Sequence, residues 1–378
     1  MIKVLFLTDN LGGGGAERVI VNLVNLMDKT RFDITVRTCF SGGVNVGLLD
    51  KSIKYQCKGA PVFHGIKHVL KFIPASILYR YFIGKNDYDV IIAYMNGNPT
   101  KTVSGAKGKK KLAWIHGDMM GSYKPNFPSY FISRKSMQKA LKRFDYIVGV
   151  SERICDSFKT YTGVSENVIL RHNTNDVEKI LQLSKEKCEL PFEKSENETV
   201  FVSVGSLVEV KGFERLIACA KKLKEDGFKF KVVIIGEGRL RENLTELIDN
   251  DDLNDTVFLI GFHQNPYKYL SKCDVFVCSS YSEGLSTAVS EAVILGLPCI
   301  STEVSGAREI LGKKSEYGII AENTEDGIYI AMKNLLQSKE NIRKYAELSA
   351  QRASFFSPER TVGEIEKLIE DLVNASNS

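Results

Sequence analysis

Residues 199–236, TVFVSVGSLVEVKGFERLIACAKKLKEDGFKFKVVIIG, decide how the whole chain is read. TVFVSVG (199–205) and FKVVIIG (230–236) are continuous β-branched runs, the pattern of strands buried on both faces of a parallel sheet. Between them GFERLIACAKKLKEDG (212–227) carries apolar residues at helical spacing and ends on Gly227. A strand, a helix and a second strand in that order make a βαβ unit. The alternation continues in both directions. Strand-like runs stand at 3–8, 33–38, 89–94, 111–116 and 146–151 in the first half, and at 256–261, 274–280 and 298–302 in the second. Repeated units of this kind predict an α/β chain built from two Rossmann-like, doubly wound domains.

A length of 378 residues is enough for two cores. The predicted division puts an N-terminal domain over 1–175 and a C-terminal domain over 176–357, with the boundary in the polar stretch 173–199. The last segment, SPERTVGEIEKLIEDLVNAS (357–376), reads as a helix after Ser-Pro, and that helix, 358–376, suits packing on the first domain as well as on the second. Ligand sites of doubly wound sheets lie at the carboxyl ends of strands, so two facing sheets predict an interdomain cleft as the site.

Composition excludes several classes. With 43% hydrophobic and 26% charged residues the chain reads as a globular enzyme, neither disordered nor repetitive. Its eight cysteines form no CxxC pair and sit mostly in apolar surroundings, which predicts reduced, buried thiols and a cytoplasmic setting. The first residues, MIKVLFLTDN, are too short an apolar run for a signal peptide and read as a first strand, and no stretch approaches a bilayer span. The net charge of +5 is unevenly spread. Residues 1–175 hold 26 Lys and Arg against 12 Asp and Glu, a net +14, and the remainder carries −9. A basic first half predicts an anionic partner for it.

The candidate site residues stand where strands give way to helices. After the first strand, DNLGGGGAERVI brings Gly14 and Gly15 to the start of a helix, a place that can cradle a phosphate or form a plain turn. Lys211, before Gly212, can reach a phosphate as a point charge or stand solvated in a loop. Glu237 and Gly238, in IIGEGRL, and Phe262, after Gly261, end two further strands. In SSYSEGLSTAVSEAVILGLPCIST (279–302) a helix starts near Ser286 and stops at Gly296. Glu283 lies in the loop before it, and Glu291 lies too deep in the helix to be a capping residue. Amides from Leu285 to Ala288 flanked by two carboxylates suit a sugar nucleotide. The diphosphate would take the amides, one acid the ribose hydroxyls and the other the hydroxyls of the sugar.

These residues resemble glycosyltransferase family 4, retaining enzymes of the GT-B fold, over essentially the whole chain. The most specific element is a pair of glutamates eight positions apart, Glu283 and Glu291. GGGAERV (13–19), WIHGD (114–118), VSVGSLVEVKGFERLI (202–217), IIGEGRLRENL (234–244) and GFHQNPYKYLSKCDVFVCSS (261–280) follow in family order. The resemblance implies roles. Gly14 and Gly15 approach the β-phosphate and anomeric carbon, His116 lies by the 6-position of the donor sugar, and Lys211 binds the diphosphate. Glu237 and Gly238 line the nucleotide, and Phe262 offers its backbone to the base. Glu283 holds the sugar, Leu285 and Ser286 the phosphate, and Glu291 the ribose. Many members carry an arginine five residues before the lysine, where this chain has Ser206.

The implied reaction moves a hexose or N-acetylhexosamine from a nucleoside-diphosphate sugar, with UDP favoured over GDP, in polysaccharide or capsule synthesis. It implies front-face retention without a protein nucleophile. No metal and no other cofactor is expected: Asp87/Asp89 and Asp249/Asp251 match Asp-x-Asp formally but read as solvated turns. Basic and aromatic residues in 65–85, 107–114 and 129–144 suit the anionic inner face of the plasma membrane and a lipid-linked pyrophosphate saccharide acceptor, with Arg18 as a contact for its phosphate. Two rival readings exist. A nucleotide-sugar epimerase of the same architecture would have no use for a basic, aromatic acceptor face. A nucleic-acid-binding protein would leave the glutamate pair and the acidic second half without a purpose, so no nucleic-acid partner is expected.

Overall fold

The structure is a computed structural model and describes residues 1–60, 65–84, 87–121, 127–195 and 197–375. Lys85 and Ser376, the last residues of two stretches singled out above, lie outside the described residues. The chain divides into two compact units, Met1–Thr174 with Pro358–Ser378, and Asn175–Ser357.

The first unit holds a seven-stranded sheet. Its strands are β1 (Ile2–Thr8), β2 (Phe32–Thr38), β3 (Lys54–Cys57), β4 (Val90–Ala93), β5 (Lys110–Ile115), β6 (Tyr146–Gly149) and β7 (Val168–Leu170), in the order β3-β2-β1-β4-β5-β6-β7. The second unit holds six: β8 (Thr199–Val204), β9 (Phe230–Ile235), β10 (Val257–Leu259), β11 (Val275–Cys278), β12 (Cys299–Thr302) and β13 (Ile319–Ala321), in the order β10-β9-β8-β11-β12-β13. Every pairing in both is parallel. The strand order reverses between β1 and β4 and between β8 and β11, and in open α/β sheets such a switch point leaves room for a ligand at the carboxyl ends.

The continuous apolar runs behave as their composition demands. Val4 to Leu7 in β1 and Val200 to Val202 in β8 are fully buried, because helices cover both faces of each sheet. Three short strands, β3, β7 and β13, escape a reading based on run length, since KYQC is half polar and VIL and IIA are apolar for only three residues. The helix Pro358–Asn374 returns to the first unit, where Arg31 Nη1 binds Glu370 Oε1 at 2.8 Å and the amide of Asp28 donates to Glu366 Oε1 at 2.6 Å. All eight cysteines are free thiols, and six are buried.

Candidate functional site

In the first unit, Gly14 caps the helix Gly15–Leu26 directly after β1. A Cβ on Gly14 would collide with the carboxylate of Glu17, which folds back over this helix start. Glu17 stands two residues past Gly15 in the same GGGAERV segment, and its flexible carboxylate would have to swing aside for any side chain at position 14. Burial pushes the Glu17 carboxyl up, partly offset by a backbone hydrogen bond. Arg18, on the same helix, is half-buried.

His116 follows β5. Its ring packs on Tyr94, with centroids 5.1 Å apart, and Nε2 lies 3.0 Å from the Tyr94 carbonyl. A carbonyl only accepts, so Nε2 carries the hydrogen and Nδ1 keeps its lone pair. Burial lowers the imidazole to about 4, outweighing the Tyr94 hydrogen bond, so the ring is neutral at physiological pH. The His116 amide donates to Oδ1 of Asn96 at 3.0 Å. Nδ2 of Asn96 is buried and has no partner among the described residues, an orphaned donor beside the histidine. Asn96 was not legible in the sequence: MNGNP after a strand reads as a turn.

In the second unit the loops after β8 and β11, adjacent strands at the switch point, bring Lys211 and Glu283 together. Lys211 Nζ lies 2.7 Å from Glu283 Oε1, and the Ser280 hydroxyl donates to the same oxygen at 2.7 Å. Among the described residues both partners fall on Oε1, and Oε2 is left for another donor. Burial opposes the charge on Lys211, but the attraction and hydrogen bond of Glu283 outweigh it and hold the ammonium above its ordinary range.

The next helix, Thr287–Ile294, is capped by Ser286, whose hydroxyl accepts from the Val289 amide at 3.4 Å. The amides of Thr287 and Ala288 belong to the first turn and have no intrahelical partner. Leu285, just ahead, is buried. Glu291, one turn on, is only 8% exposed, and Oε1 accepts from the Tyr267 hydroxyl at 2.9 Å. Tyr267, itself 3% exposed, opens the short helix Tyr267–Leu270 and was not singled out by sequence, because a tyrosine 24 residues away carries no spacing signal.

The loops after β9 and β10 lie beside this group. Cβ atoms on Gly236 and Gly238 would strike the backbone of Gly205 and Leu207. Both glycines thus permit loop-on-loop packing before any ligand is considered. Glu237 is exposed and pairs with Arg241 at 3.0 Å, and Phe262 is 54% exposed after Gly261. Next to exposed Ser206, Glu209 is gripped by Arg239, with Nε at 3.1 Å, which places a guanidinium on the neighbouring loop.

No group of three or more His, Cys, Asp or Glu among the described residues is arranged to hold a metal. Asp89 accepts from the Lys3 amide at the amino end of β4, Asp87 pairs with Lys109 at 3.1 Å, and Asp251 pairs with Lys221 at 2.7 Å. Asp249 lies in the last turn of a helix, Arg241–Asn250, and not in a loop.

Both halves of the chain are similar to known glycosyltransferases. Residues 13–179 match Glycosyltransferase Family 4, and residues 184–352 match Glycosyl transferases group 1. The N-acetylgalactosamine-N,N'-diacetylbacillosaminyl-diphospho-undecaprenol 4-alpha-N-acetylgalactosaminyltransferase of Campylobacter jejuni is 26% identical over 362 residues, covering 92% of this chain and 93% of that enzyme. An uncharacterized glycosyltransferase of Methanocaldococcus jannaschii is 34% identical over 208 residues, covering 53% of this chain and 50% of that protein. Among solved structures, Anabaena HepE in complex with UDP and glucose superimposes with a TM-score of 0.71 at 16% identity, covering 99% of this chain and 100% of that one. Sucrose-phosphate synthase of Thermosynechococcus elongatus does so with a TM-score of 0.80 at 15% identity, again over 99% and 100%. The chain is a glycosyltransferase of GT-B fold and belongs to glycosyltransferase family 4.

Proposed function

We propose that the protein moves a hexose or N-acetylhexosamine, with retention, from a nucleoside-diphosphate sugar to a lipid-linked diphosphate saccharide. Uridine is favoured over guanosine as the nucleoside. The setting would be synthesis of a bacterial surface polysaccharide such as a capsule, at the cytoplasmic face of the membrane. The observation that carries this reading is the Lys211–Glu283 pair beside the start of the helix Thr287–Ile294. It sets a cation and first-turn amides next to a carboxylate that keeps one oxygen for sugar hydroxyls. The UDP complexes of the fold neighbours and the diphospho-undecaprenol acceptor in the name of the C. jejuni relative support the choice of donor and acceptor.

In the proposed step the bond from the anomeric carbon to the β-phosphate oxygen breaks and its electron pair leaves with the diphosphate. Lys211 and the amides of Thr287 and Ala288 meet that charge. The acceptor hydroxyl bonds to the anomeric carbon on the face that the diphosphate leaves, and its proton passes to a phosphate oxygen. Glu291, fixed by Tyr267, takes the ribose hydroxyls, and Nδ1 of neutral His116 accepts from a hydroxyl of the sugar. The step as drawn needs no metal.

The test is a thermal-shift and calorimetric screen of nucleoside diphosphates and their sugars. A ligand at a hundred times its dissociation constant adds about 2.7 kcal/mol of stability. A uridine compound should give the largest shift. No shift from any nucleoside diphosphate would end the reading, an inverted anomer in the product would end retention, and loss of turnover with chelator would end the metal-free step.

A further inference from the structure

Between Asp50 and Asp87, and again between Asp118 and Asp145, the sequence has no acidic residue, while the two stretches hold 13 Lys and Arg. Among the described residues of these stretches, the helix Ile66–Phe72 packs against the turn Phe127–Tyr130, and the helix Ala75–Phe82 follows after Ile73 and Pro74. What they present outward is apolar as well as basic. Phe72 is 68% exposed, Ile132 61%, Tyr81 50%, Val69 49% and Ile77 47%. Of the 11 exposed large hydrophobic residues described, six fall in these two stretches, so this is a concentration and not ordinary scatter.

The surface is anchored from below. Lys101, 6% exposed, donates from Nζ to the carbonyls of Leu70 (2.6 Å) and Lys71 (2.7 Å), which end the first helix. Arg37, from β2, donates from Nη1 to the carbonyls of Phe82 (3.0 Å) and Ile83 (2.6 Å), which end the second. Two buried cations thus hold the negative ends of both helices. Gly105 admits the start of the second helix, since a Cβ there would strike the Ala75 backbone. The exposed side chains therefore ride on fixed elements.

A partner for this face must be apolar in depth and anionic at its rim. Nucleic acid supplies the charge without the depth. An anionic lipid monolayer supplies both, with acyl chains for Phe72, Ile132 and Tyr81 and phosphates for Lys58, Lys71, Arg80 and Arg134. Lys58 Nζ, 4.9 Å from the centre of the Tyr81 ring, pairs the two chemistries at one point. We propose that this face of the first unit, built on the helices Ile66–Phe72 and Ala75–Phe82 with Ile132, seats the protein on an anionic bilayer. The proposal deepens the lipid-linked acceptor reading and rests on it for its purpose, though not for its test.

The test is flotation of the full chain with vesicles of phosphatidylcholine alone or mixed with phosphatidylglycerol. The wild type should float with the anionic vesicles only. The double variant Phe72→Ser, Ile132→Ser and the double variant Lys71→Glu, Arg80→Glu should each lose binding about tenfold or more, and both should keep the wild-type thermal shift with UDP, which reports on the second unit. Absence of flotation with anionic vesicles, or undiminished flotation by both variants, overturns the proposal. So does binding of an oligonucleotide that Phe72→Ser leaves unchanged, or a dimer of this chain that Phe72→Ser dissolves while no vesicle is bound. Vesicle binding without a shift from any nucleotide sugar would sink the donor reading alone, and a UDP shift without vesicle binding would sink this proposal alone.

Discussion

Lys211 Nζ and Glu283 Oε1 lie 2.7 Å apart across 72 residues of sequence, in the loops that follow β8 and β11. The contact exists because the sheet order sets those two strands side by side at the point where the winding reverses. Lysine held above its ordinary range lends stability that is complete below its unfolded value and is lost only as pH climbs through the higher folded value. Lys211 therefore stays charged across the physiological range.

Lys211→Met leaves a carboxylate whose side chain is 12% exposed without its cation, and should lower unfolding stability by about 1–3 kcal/mol. It should also weaken UDP binding about tenfold or more, since a charge-assisted contact is removed. Glu283→Gln should keep UDP affinity within about threefold while turnover falls about a hundredfold. Calorimetry and steady-state rates separate the two. If Glu283→Gln weakens UDP as much as Lys211→Met does, the glutamate serves the diphosphate and not the sugar.

Tyr267→Phe removes the phenol that donates to Glu291 and keeps the ring in place. A buried carboxylate short of one donor costs about 1–3 kcal/mol, read in urea unfolding. UDP affinity should fall several-fold as the carboxylate loses its orientation. The loss should vanish for a uridine diphosphate lacking both ribose hydroxyls. An equal loss for that analogue would show that Tyr267 acts on something other than the ribose contact.

The same residues show how far a sequence reading reaches. Ten of the strands fall within apolar-rich runs of five to seven residues and were legible. β3, β7 and β13 were not, because KYQC is half polar and VIL and IIA are apolar for only three residues. Glu283 and Glu291 were legible as a pair because they share one loop and helix. Lys211 was legible as a candidate but its contact with Glu283 was not, and Tyr267 was missed altogether, because both contacts arise only through strand order and packing. Gly238 read as lining the nucleotide with Glu237, and the structure adds a packing role that spacing does not show, since Gly236 and Gly238 let two loops touch.

His116 gives a pH signature. Its folded value, about 4, lies below the ordinary 6.5, so the unfolded chain binds the extra proton first. Its contribution is fully present above about pH 6.5 and is lost as pH falls toward 4, reaching roughly 3 kcal/mol there. Urea unfolding at pH 7 and near 4.5 should show the wild type losing roughly 2–3 kcal/mol more than His116→Gln does. Equal losses would mean that the imidazole titrates normally. Across pH 6–8 the activity profile should contain no limb that His116→Gln removes.

Gly236→Ala tests whether the second unit needs its glycines for packing or for ligand. The Gly236 amide donates to the Gly261 carbonyl at 2.8 Å, and an added Cβ would land on the Gly205 carbonyl oxygen. Backbone cannot rotate away as a side chain does, so the loops after β8 and β9 must part. The expected cost is about 3 kcal/mol or more, seen as a large drop in melting temperature or as insoluble protein. Gly47→Ala is the control: nothing lies within 4 Å of its added Cβ, and the change should stay within about 0.5 kcal/mol. A Gly236→Ala protein that melts like the wild type but no longer binds nucleotide would assign this glycine to the ligand and not to the fold.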